Sequence, residues 1–244
     1  MSMVTPVNQS ISERVYIWGS RLSGLLFPPT CLVCTEPAAA GRDLCAACAA
    51  GLPWLDSACR RCALPLPAAE SAGTLCGACR QARAPLQQVH AALLYAAPVD
   101  GLLRRFKFHH DLAAGRLLAQ LMGERLAAAD PPQALVPVPL HRSRLRQRGY
   151  DQALELARPL ARHLQLPLLA GLRRVRATAA QSELDAATRR RNLRAAFVAA
   201  GPLPPHVALV DDVMTTGATL HAAARALRRA GVTRVDAWVC ARVP

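Results

Sequence analysis

Two adjacent aspartates, Asp211 and Asp212, close an apolar run in the segment VALVDDVMTTGATL, which spans residues 207–220. A turn of small residues follows, and a helical pattern begins behind it. Free N–H groups at a helix N-terminus attract phosphate, and Gly217 lets the backbone approach a ligand closely. Because carboxylates repel phosphate, their natural tasks are to accept hydrogen bonds from sugar hydroxyls and to help hold Mg²⁺. The segment is therefore typical of a ribose-phosphate site, with further hydroxyl donors at Thr215, Thr216 and Thr219.

Cysteines are the second set of residues able to do chemistry, and the chain has nine of them. Eight form four Cys-x-x-Cys pairs, with ten residues between the first two pairs and thirteen between the last two. Two such turns complete a closed tetrahedral zinc site. The spacing predicts two structural zinc ions; consecutive pairing is favoured, and cross-brace pairing stays open. The predicted ligands are Cys31, Cys34, Cys45, Cys48, Cys59, Cys62, Cys76 and Cys79.

Disulfides or a redox pair are the alternatives to zinc. The N-terminus shows no secretory signal, which predicts a cytoplasmic protein with reduced thiols. The fourfold repetition of the pair also favours metal over a single redox centre. The ninth cysteine, Cys240, lies in the apolar run WVCARV and is predicted to be a core residue.

Composition changes along the chain and suggests three regions. Few large apolar residues occur between positions 35 and 85, whereas core periodicity begins at Val89. We predict an N-terminal docking helix and linker at 1–30, a double zinc ribbon at 31–85 and a larger domain at 86–244. The docking helix rests on an apolar stripe that is too short and mixed for a membrane span, formed by Val15, Trp18, Leu22, Leu25 and Leu26.

In the larger domain, apolar strands alternate with amphipathic helices, which predicts an α/β fold with a parallel sheet flanked by helices. Strands are predicted at 89–96, 134–140, 207–212 and 234–243. Pro159 should kink or end the helix that contains it. Ligands bind at the C-terminal ends of such strands, which is where the two aspartates lie.

The acidic segment resembles the phosphoribosyl-pyrophosphate (PRPP) motif of type I phosphoribosyltransferases. The four cysteine pairs, LLFPPTCLVC, RRFKF, VPVPLHRSRLRQRGYDQALELA, QSELDAATRRRNLRAAF and the acidic segment also occur in the order of the ComF/GntX family. The resemblance covers almost the whole chain. It implies a zinc-ribbon domain fused to a type I phosphoribosyltransferase-like domain, with Mg²⁺ bound alongside PRPP. It also implies a role in natural transformation, with single-stranded DNA and a helicase-like competence protein as partners.

The resemblance implies roles for individual residues. Asp211 and Asp212 would orient the ribose hydroxyls during catalysis. The PRPP contacts would come from Val213, Met214, Thr215, Thr216, Gly217, Ala218, Thr219, His141, Arg142, Ser143, Arg144, Arg148 and Lys107. A mobile hood would close over the ligand with Arg189, Arg190, Arg191 and Asn192. Alternatively, the arginines that follow the VPVP strand form a solvated helix face. The hood segment is alternatively a surface loop or a contact for the DNA backbone.

One segment departs from the family pattern. Members of the family usually have a glycine and an acid shortly after the FKY-type segment, whereas here His109 and His110 precede Asp111. Surface histidines are favoured over metal ligands at these two positions.

Three functions are compatible with the sequence. The first is a phosphoribosyltransferase with an unidentified acceptor, the second a DNA-binding competence module with a nucleotide-sensing pocket, and the third a regulator that kept the fold without the chemistry. The net charge of +14 favours phosphate or nucleic-acid partners, although an Arg- and Ala-rich composition is also typical of a GC-rich genome. With aromatic residues at 4 %, DNA binding would depend on backbone contacts. The sequence contains no Walker motif, so ATP-driven translocation would come from another protein.

Overall fold

The structure is a computed structural model that describes residues 29–38, 41–67, 73–81, 84–176 and 196–244. The chain divides into two compact units, Met1–Gly51 and Leu52–Pro244. The first cysteine tetrad lies in the smaller unit and the second in the larger one. The apolar stripe of the predicted docking helix lies outside the described residues. The predicted domain limits at 30 and 85 stay predictions.

The described residues of the smaller unit form turns and one short helix, α1 (Ala46–Ala50). A tight turn closes around Cys31, whose N–H donates to the carbonyl of Glu36 at 2.8 Å. The sulfur of Cys45 caps α1 by accepting from the N–H of Cys48 at 3.4 Å. Among the described residues of this unit, only Cys31 and Leu44 are buried. So little apolar burial among the described residues is typical of a small unit that a structural metal stabilises.

The described residues of the larger unit form six strands and six helices. Its strands are β1 (Val89–Leu94), β2 (Ala134–Pro137), β3 (Leu172–Arg174), β4 (Phe197–Ala199), β5 (His206–Met214) and β6 (Arg234–Arg242). Its helices are α2 (Gly77–Gln81), α3 (Val99–Phe108), α4 (Leu112–Leu126), α5 (Arg142–Arg148), α6 (Gln152–His163) and α7 (Ala218–Arg229).

Four of the strands form a sheet in the order β1-β6-β5-β2, and every pairing in it is parallel. The central strands β5 and β6 are apolar along most of their length because helices cover both faces of a parallel sheet. The predicted α/β fold with a parallel sheet is therefore confirmed. Strands β3 and β4 pair separately as a short antiparallel ribbon.

Helix α6 runs through Pro159 and continues to His163, so of the two predicted outcomes, a kink or an end, the helix does not end at this proline. Proline removes one hydrogen bond to the preceding turn. Packing outweighs that loss, because Leu156 and Leu160 on either side of the proline are fully buried. The helix packs against β2 and β5 and against α4.

The segment that leads into the second cysteine tetrad lies along β1, at the edge of the sheet. Trp54 forms an antiparallel bridge with Leu93. The N–H of Leu55 donates to the carbonyl of Ala92 at 3.2 Å, and the N–H of Leu94 donates to the carbonyl of Pro53 at 2.8 Å. The sheet therefore continues into the cysteine-bearing segment. Within the part of the chain that the structure describes, no helix combines the length and apolar character needed to cross a membrane.

Candidate functional site

The C-terminal ends of the parallel strands open onto a cavity of about 400 Å³. Both aspartates at the end of β5 line it, together with the start of the chain that follows β2. Four cationic side chains face the aspartates across this space: Lys107, Arg144, Arg148 and Arg174. Ligands of α/β proteins bind at this edge of the sheet. The cavity therefore brings together acids, cations and hydroxyl groups from distant parts of the sequence.

The turn after β5 has the geometry of an anion cradle. Gly217 precedes α7 and adopts a left-handed φ of 74°, and a Cβ there would lie 2.4 Å from the Cε of Met214. Glycine is therefore the residue that fits this close turn. In the described part of the chain, no side chain caps the N-terminus of α7. Its first N–H groups are thus open to a ligand, next to the cavity-lining Thr215 and Thr219.

The acidic pair is held by a lysine from α3. The Nζ of Lys107 lies 2.7 Å from the Oδ2 of Asp212, and both side chains are largely buried. Burial and the charge of Asp212 raise the pKa of Asp211 to about 8, although Lys107 opposes the shift. Burial, and to a lesser degree the charge of Asp212, also raises the pKa of Asp151. Asp211 and Asp212 thus share one lysine, with the carboxyl of Asp151 nearby, a charge arrangement typical of a functional site that receives a cation or hydroxyl donors.

Helix α5 sorts its arginines by helical period. Arg144 and Arg148, four residues apart, line the cavity, whereas Arg142 and Arg146 are exposed to solvent. His141 caps the helix, since its Nδ1 accepts from the N–H of Ser143 at 3.3 Å. The structure therefore brings Arg144 and Arg148 to the acidic pair, and the wall of the cavity does not include His141, Arg142 or Ser143.

The residues of the acidic segment also separate into those that line the cavity and those that do not. Val213, Thr215 and Thr219 line the cavity, while Met214, Thr216, Gly217 and Ala218 shape the turn behind it. The predicted hood residues Arg189, Arg190, Arg191 and Asn192 lie outside the described residues.

Arg174 is the main lining residue that sequence reasoning missed. It ends β3, and its guanidinium lies 5.3 Å from the ring centroid of Phe197 in β4. Burial and the neighbouring Arg144 lower its pKa, while Asp211 and Asp151 act in the opposite sense. The period-2 alternation of a strand was the available signal, because Arg173 beside it is exposed.

Asp151 was also missed, and it shapes the loop after β2. Its carboxylate accepts from the N–H of Leu140 at 2.8 Å and from the N–H of Leu154 at 3.2 Å. It therefore joins the cavity-lining loop to the first turn of α6. An aspartate directly before an apolar helical pattern is the usual signal for such a cap.

The segment that departs from the family pattern forms the turn between α3 and α4. His110 adopts a left-handed φ of 54°, and its ring packs edge-on against Tyr150 at 5.9 Å between centroids. Glycine adopts this φ without steric cost, whereas the Cβ of a histidine opposes it. Asp111 caps α4 and pairs with Arg105 at 2.6 Å. Although burial opposes ionisation, the N–H of Ala114 and Arg105 together lower the pKa of Asp111.

The eight paired cysteines form two groups by consecutive pairing, Cys31, Cys34, Cys45 and Cys48 in one and Cys59, Cys62, Cys76 and Cys79 in the other. Within each group the sulfur atoms lie within 4.8 Å of one another. The distance between Sγ atoms is 3.6 Å for Cys34 and Cys45 and 3.8 Å for Cys62 and Cys76. Tetrahedral ZnS₄ with bonds of about 2.3 Å requires sulfur separations of roughly 3.8 Å, so both groups fit zinc.

In each group one thiol has a lowered pKa, whereas others of the same group have raised pKa values. Burial opposes ionisation of Cys31, yet main-chain N–H groups of Cys45, Cys34 and Val33 lower its pKa to about 6. Main-chain N–H groups lower the pKa of Cys59 to about 7 against the same opposition. All cysteines of the structure are free of disulfides, and Cys240 is buried as predicted.

Comparison with known domain families gives two matches. Residues 22–80 match the double zinc ribbon domain. Residues 151–244, which contain β5, the acidic turn and β6, match the phosphoribosyl transferase domain. The two cysteine groups and the first match together support the predicted structural zinc.

Relatives share this organisation along their length. DNA utilization protein YhgH of Salmonella typhimurium is 36% identical over 227 residues, which cover 89% of this chain and 99% of that protein. Competence protein F of Haemophilus influenzae is 37% identical over 178 residues, covering 68% of this chain and 78% of that protein. Competence protein ComFC of Bacillus subtilis is 30% identical over 150 residues, or 60% of either chain.

Proposed function

The chain belongs to the ComF/YhgH family of proteins with a double zinc ribbon and a phosphoribosyltransferase domain, and from that premise we propose that its cavity binds PRPP, or a related sugar phosphate or nucleotide, with Mg²⁺. One observation carries the proposal. The adjacent aspartates and the uncapped N-terminus of α7 face a group of arginines across one cavity. That arrangement offers acceptors for a diol and donors for two separate phosphate groups.

Each part of PRPP has a complementary part of the cavity. The 5-phosphate would accept hydrogen bonds from the first N–H groups of α7 and from Thr215 and Thr219. The ribose hydroxyls would donate to Asp211 and Asp212. The pyrophosphate would lie against Arg144, Arg148 and Arg174, whose guanidinium groups suit phosphate oxygens.

Carboxylate oxygens beside phosphate oxygens are the donors that Mg²⁺ prefers, so the acidic pair fits this ion. When bound, Mg²⁺ supplies positive charge that stabilises the pyrophosphate. Lys107 supplies a cation at Asp212. We infer that Lys107 turns from Asp212 toward a phosphate oxygen when ribose and metal arrive.

If the protein turns PRPP over, the reaction is a glycosyl transfer. The bond between C1 of the ribose and the pyrophosphate oxygen breaks, and its electron pair leaves with the pyrophosphate. A nitrogen nucleophile attacks C1 from the opposite face, forms the new C–N bond and loses its proton. The aspartates hold the ribose while positive charge develops on it, and the arginines stabilise the departing negative charge.

Isothermal titration of PRPP and Mg²⁺ into the zinc-loaded protein tests the proposal. We expect binding that the Asp211→Asn/Asp212→Asn variant weakens at least 100-fold, since the amides remove the negative charge with little change in shape. Arg144→Gln should weaken binding roughly tenfold, whereas Arg146→Gln on the exposed face of the same helix should not change it. Absence of binding by the unmodified protein would refute the sugar-phosphate proposal.

A second proposal is that the protein binds single-stranded DNA in the reducing cytoplasm, where a separate helicase-like protein would move the strand. The supporting observations are the exposed Arg142 and Arg146 of α5 and Phe108, which is 61% exposed beneath the guanidinium of Arg148. The names of the competence and DNA-utilization relatives point in the same direction. An exposed ring with an arginine on it is a surface on which a base can stack.

Salt dependence tests this second proposal. Binding of a fluorescent oligonucleotide should weaken steeply as salt is raised, with a logarithmic slope of roughly −0.7 per phosphate contacted. Replacing Arg142 and Arg146 together by glutamine should lower that slope by about one to two units. Affinity that is independent of ionic strength would contradict a backbone-contact mode.

A further inference from the structure

Arg242, the last residue of β6, connects the second cysteine tetrad to the acidic segment. Its residue exposure is 8%, so its charge is buried. The Nε donates to the carbonyl of Cys62 at 2.8 Å, and an Nη donates to the carbonyl of Met214 at 3.2 Å. The same Nη donates to the carbonyl of Val243. One side chain therefore joins a zinc-ligand residue to the residue that ends β5.

The partners of Arg242 make this contact unusual. In the described part of the chain it forms no ion pair, and its side-chain donors go to main-chain carbonyls. A buried charge without a counter-ion is costly unless its acceptors are held in place. The contact is therefore favourable only while the main chain at Cys62 and at Met214 stays fixed.

Zinc is what would fix the main chain at Cys62. The turn at residues 59–63, here called the knuckle, is closed by the N–H of Ala63, which donates to the carbonyl of Cys59 at 2.8 Å. The carbonyl of Arg60 in the same turn accepts from the N–H of Val89 in β1 at 2.8 Å. The knuckle thus reaches the sheet at two points, through Arg60 at β1 and through Cys62 at β6.

Met214 is the point at which such a link can influence the ligand turn. Its carbonyl also accepts from the N–H of Val243 at 3.0 Å, which keeps the end of β5 in the sheet. Its side chain packs behind the turn, because the Cε lies 2.4 Å from the position of a Cβ on Gly217. Displacing Met214 would therefore displace the turn that presents the N-terminus of α7.

We propose that Arg242 is a positioning residue that makes the sugar-phosphate turn depend on zinc in the second tetrad, and not on zinc in the first. With the second tetrad metal-bound, the Cys62 carbonyl holds the guanidinium, and the guanidinium holds Met214. Loss of that zinc frees the Cys62 carbonyl and loosens the turn. The effect on ligand affinity rests on the proposed function, whereas the effect on the turn does not.

Hydrogen–deuterium exchange of the full-length protein tests the link without any ligand. Cys79→Ser removes a ligand of the second tetrad and leaves the Cys62 carbonyl in the chain, and Cys48→Ser is the matched change in the first. Zinc stoichiometry, measured by native mass spectrometry, should fall from two to one in either variant. We expect exchange in the segment 211–220 to accelerate about tenfold in Cys79→Ser and to stay unchanged in Cys48→Ser.

Changes at Arg242 separate the link from general destabilisation. Arg242→Met should accelerate exchange in the same segment by about three- to tenfold while both zinc ions stay bound. Arg242→Lys keeps the charge, but a single ammonium cannot span the two carbonyls, so it should not restore protection. Removing zinc by chelation from Arg242→Met should cause no further acceleration there, because the link is already broken.

The outcomes are distinguishable. Unchanged exchange at 211–220 in Cys79→Ser with one zinc lost, or in Arg242→Met, would overturn the proposal. If Cys79→Ser loses protection throughout the larger unit, Arg242→Met alone decides. Where PRPP binds, linkage requires that it raise the zinc affinity of the second tetrad, and Arg242→Met should abolish that increase. If PRPP does not bind, the proposed function fails, and the exchange measurements still judge the link.

Discussion

The two cysteine tetrads have the same ligands and similar sulfur spacing, but they are built into different surroundings. Around the first, the described residues of its unit bury only Cys31 and Leu44. Around the second, Leu55, Ala63 and Leu86 belong to the apolar cluster that also contains the sheet. The same zinc motif therefore lies among turns with few buried described residues in one case and forms one wall of a larger core in the other.

This difference has consequences for function. A metal site that stabilises only its own turns has little effect on the structure of the rest of the chain. A metal site within a core transmits its loss to every element packed on it. In this protein the second tetrad reaches the candidate site through Arg242, so the two zinc ions should differ in what their removal does.

The largest expected effect is a stability difference between matched tetrad variants. Cys59→Ser should destabilise the larger unit by about 4 kcal/mol or more, because it removes a metal and loosens a buried turn. Cys31→Ser should cost zinc and solubility while the α/β unit persists. Thermal unfolding followed by circular dichroism, with zinc stoichiometry measured in parallel, would check both. Equal losses from the two changes would break the comparison, as would unfolding of the whole chain by Cys31→Ser.

Arg242 connects the second tetrad to the acidic segment, and the buried carboxylates of that segment should lower the stability of the fold. Burial and Asp212 raise the folded pKa of Asp211 to about 8, above its ordinary 3.8. Between these values the folded state keeps a proton that the unfolded chain releases. The stability that the folded chain gains by keeping this proton is thus fully present below about pH 4 and is lost as pH rises through about 8.

Asp211→Asn should therefore raise stability without ligand, on the order of 2 kcal/mol at pH 9 and much less at pH 5. Urea unfolding at the two pH values measures the difference. Asp100→Asn, a change outside the cavity wall, is the control for loss of one carboxylate. Parallel pH slopes for the unmodified protein and Asp211→Asn would contradict this electrostatic account.

The sequence predicted the parts of this comparison that depend on local spacing. Cysteine intervals favour the consecutive grouping of the ligands without excluding cross-brace pairing, and an apolar run that ends in Asp211 and Asp212 is sufficient to place acids at the edge of a sheet. Helical period explains why Arg144 and Arg148 face one way and Arg142 and Arg146 the other.

Long-range contacts account for what could not be predicted. Nothing near Cys62 indicates that its carbonyl receives a donor from Arg242, which lies 180 positions away. Arg174 enters the cavity only because the ribbon of β3 and β4 brings it there. Packing of Leu156 and Leu160 also overrides the local preference of Pro159. Each case depends on a partner that no short segment contains.

The smallest expected effect concerns a contact between a helix and the segment that leads into the second cysteine tetrad. Arg125 of α4 donates to the carbonyl of Leu55 at 3.0 Å and to the Oδ1 of Asp56 at 2.6 Å. The Asp56 side chain is 78% exposed, so that ion pair is screened by water and adds little. The carbonyl contact is the more useful of the two because Leu55 is buried. Arg125→Met should therefore lower the free energy of unfolding of the larger unit by about 1 kcal/mol.

Asp56→Asn is the matched control, and it should cost less than about 0.5 kcal/mol because it removes only the screened ion pair. Urea unfolding of the two variants side by side measures both values. If Asp56→Asn lowered the free energy of unfolding as much as Arg125→Met, the ion pair rather than the carbonyl contact would hold the segment around Leu55 to α4. Added salt would then weaken the attachment, whereas a tie made through the main chain of Leu55 should be insensitive to ionic strength.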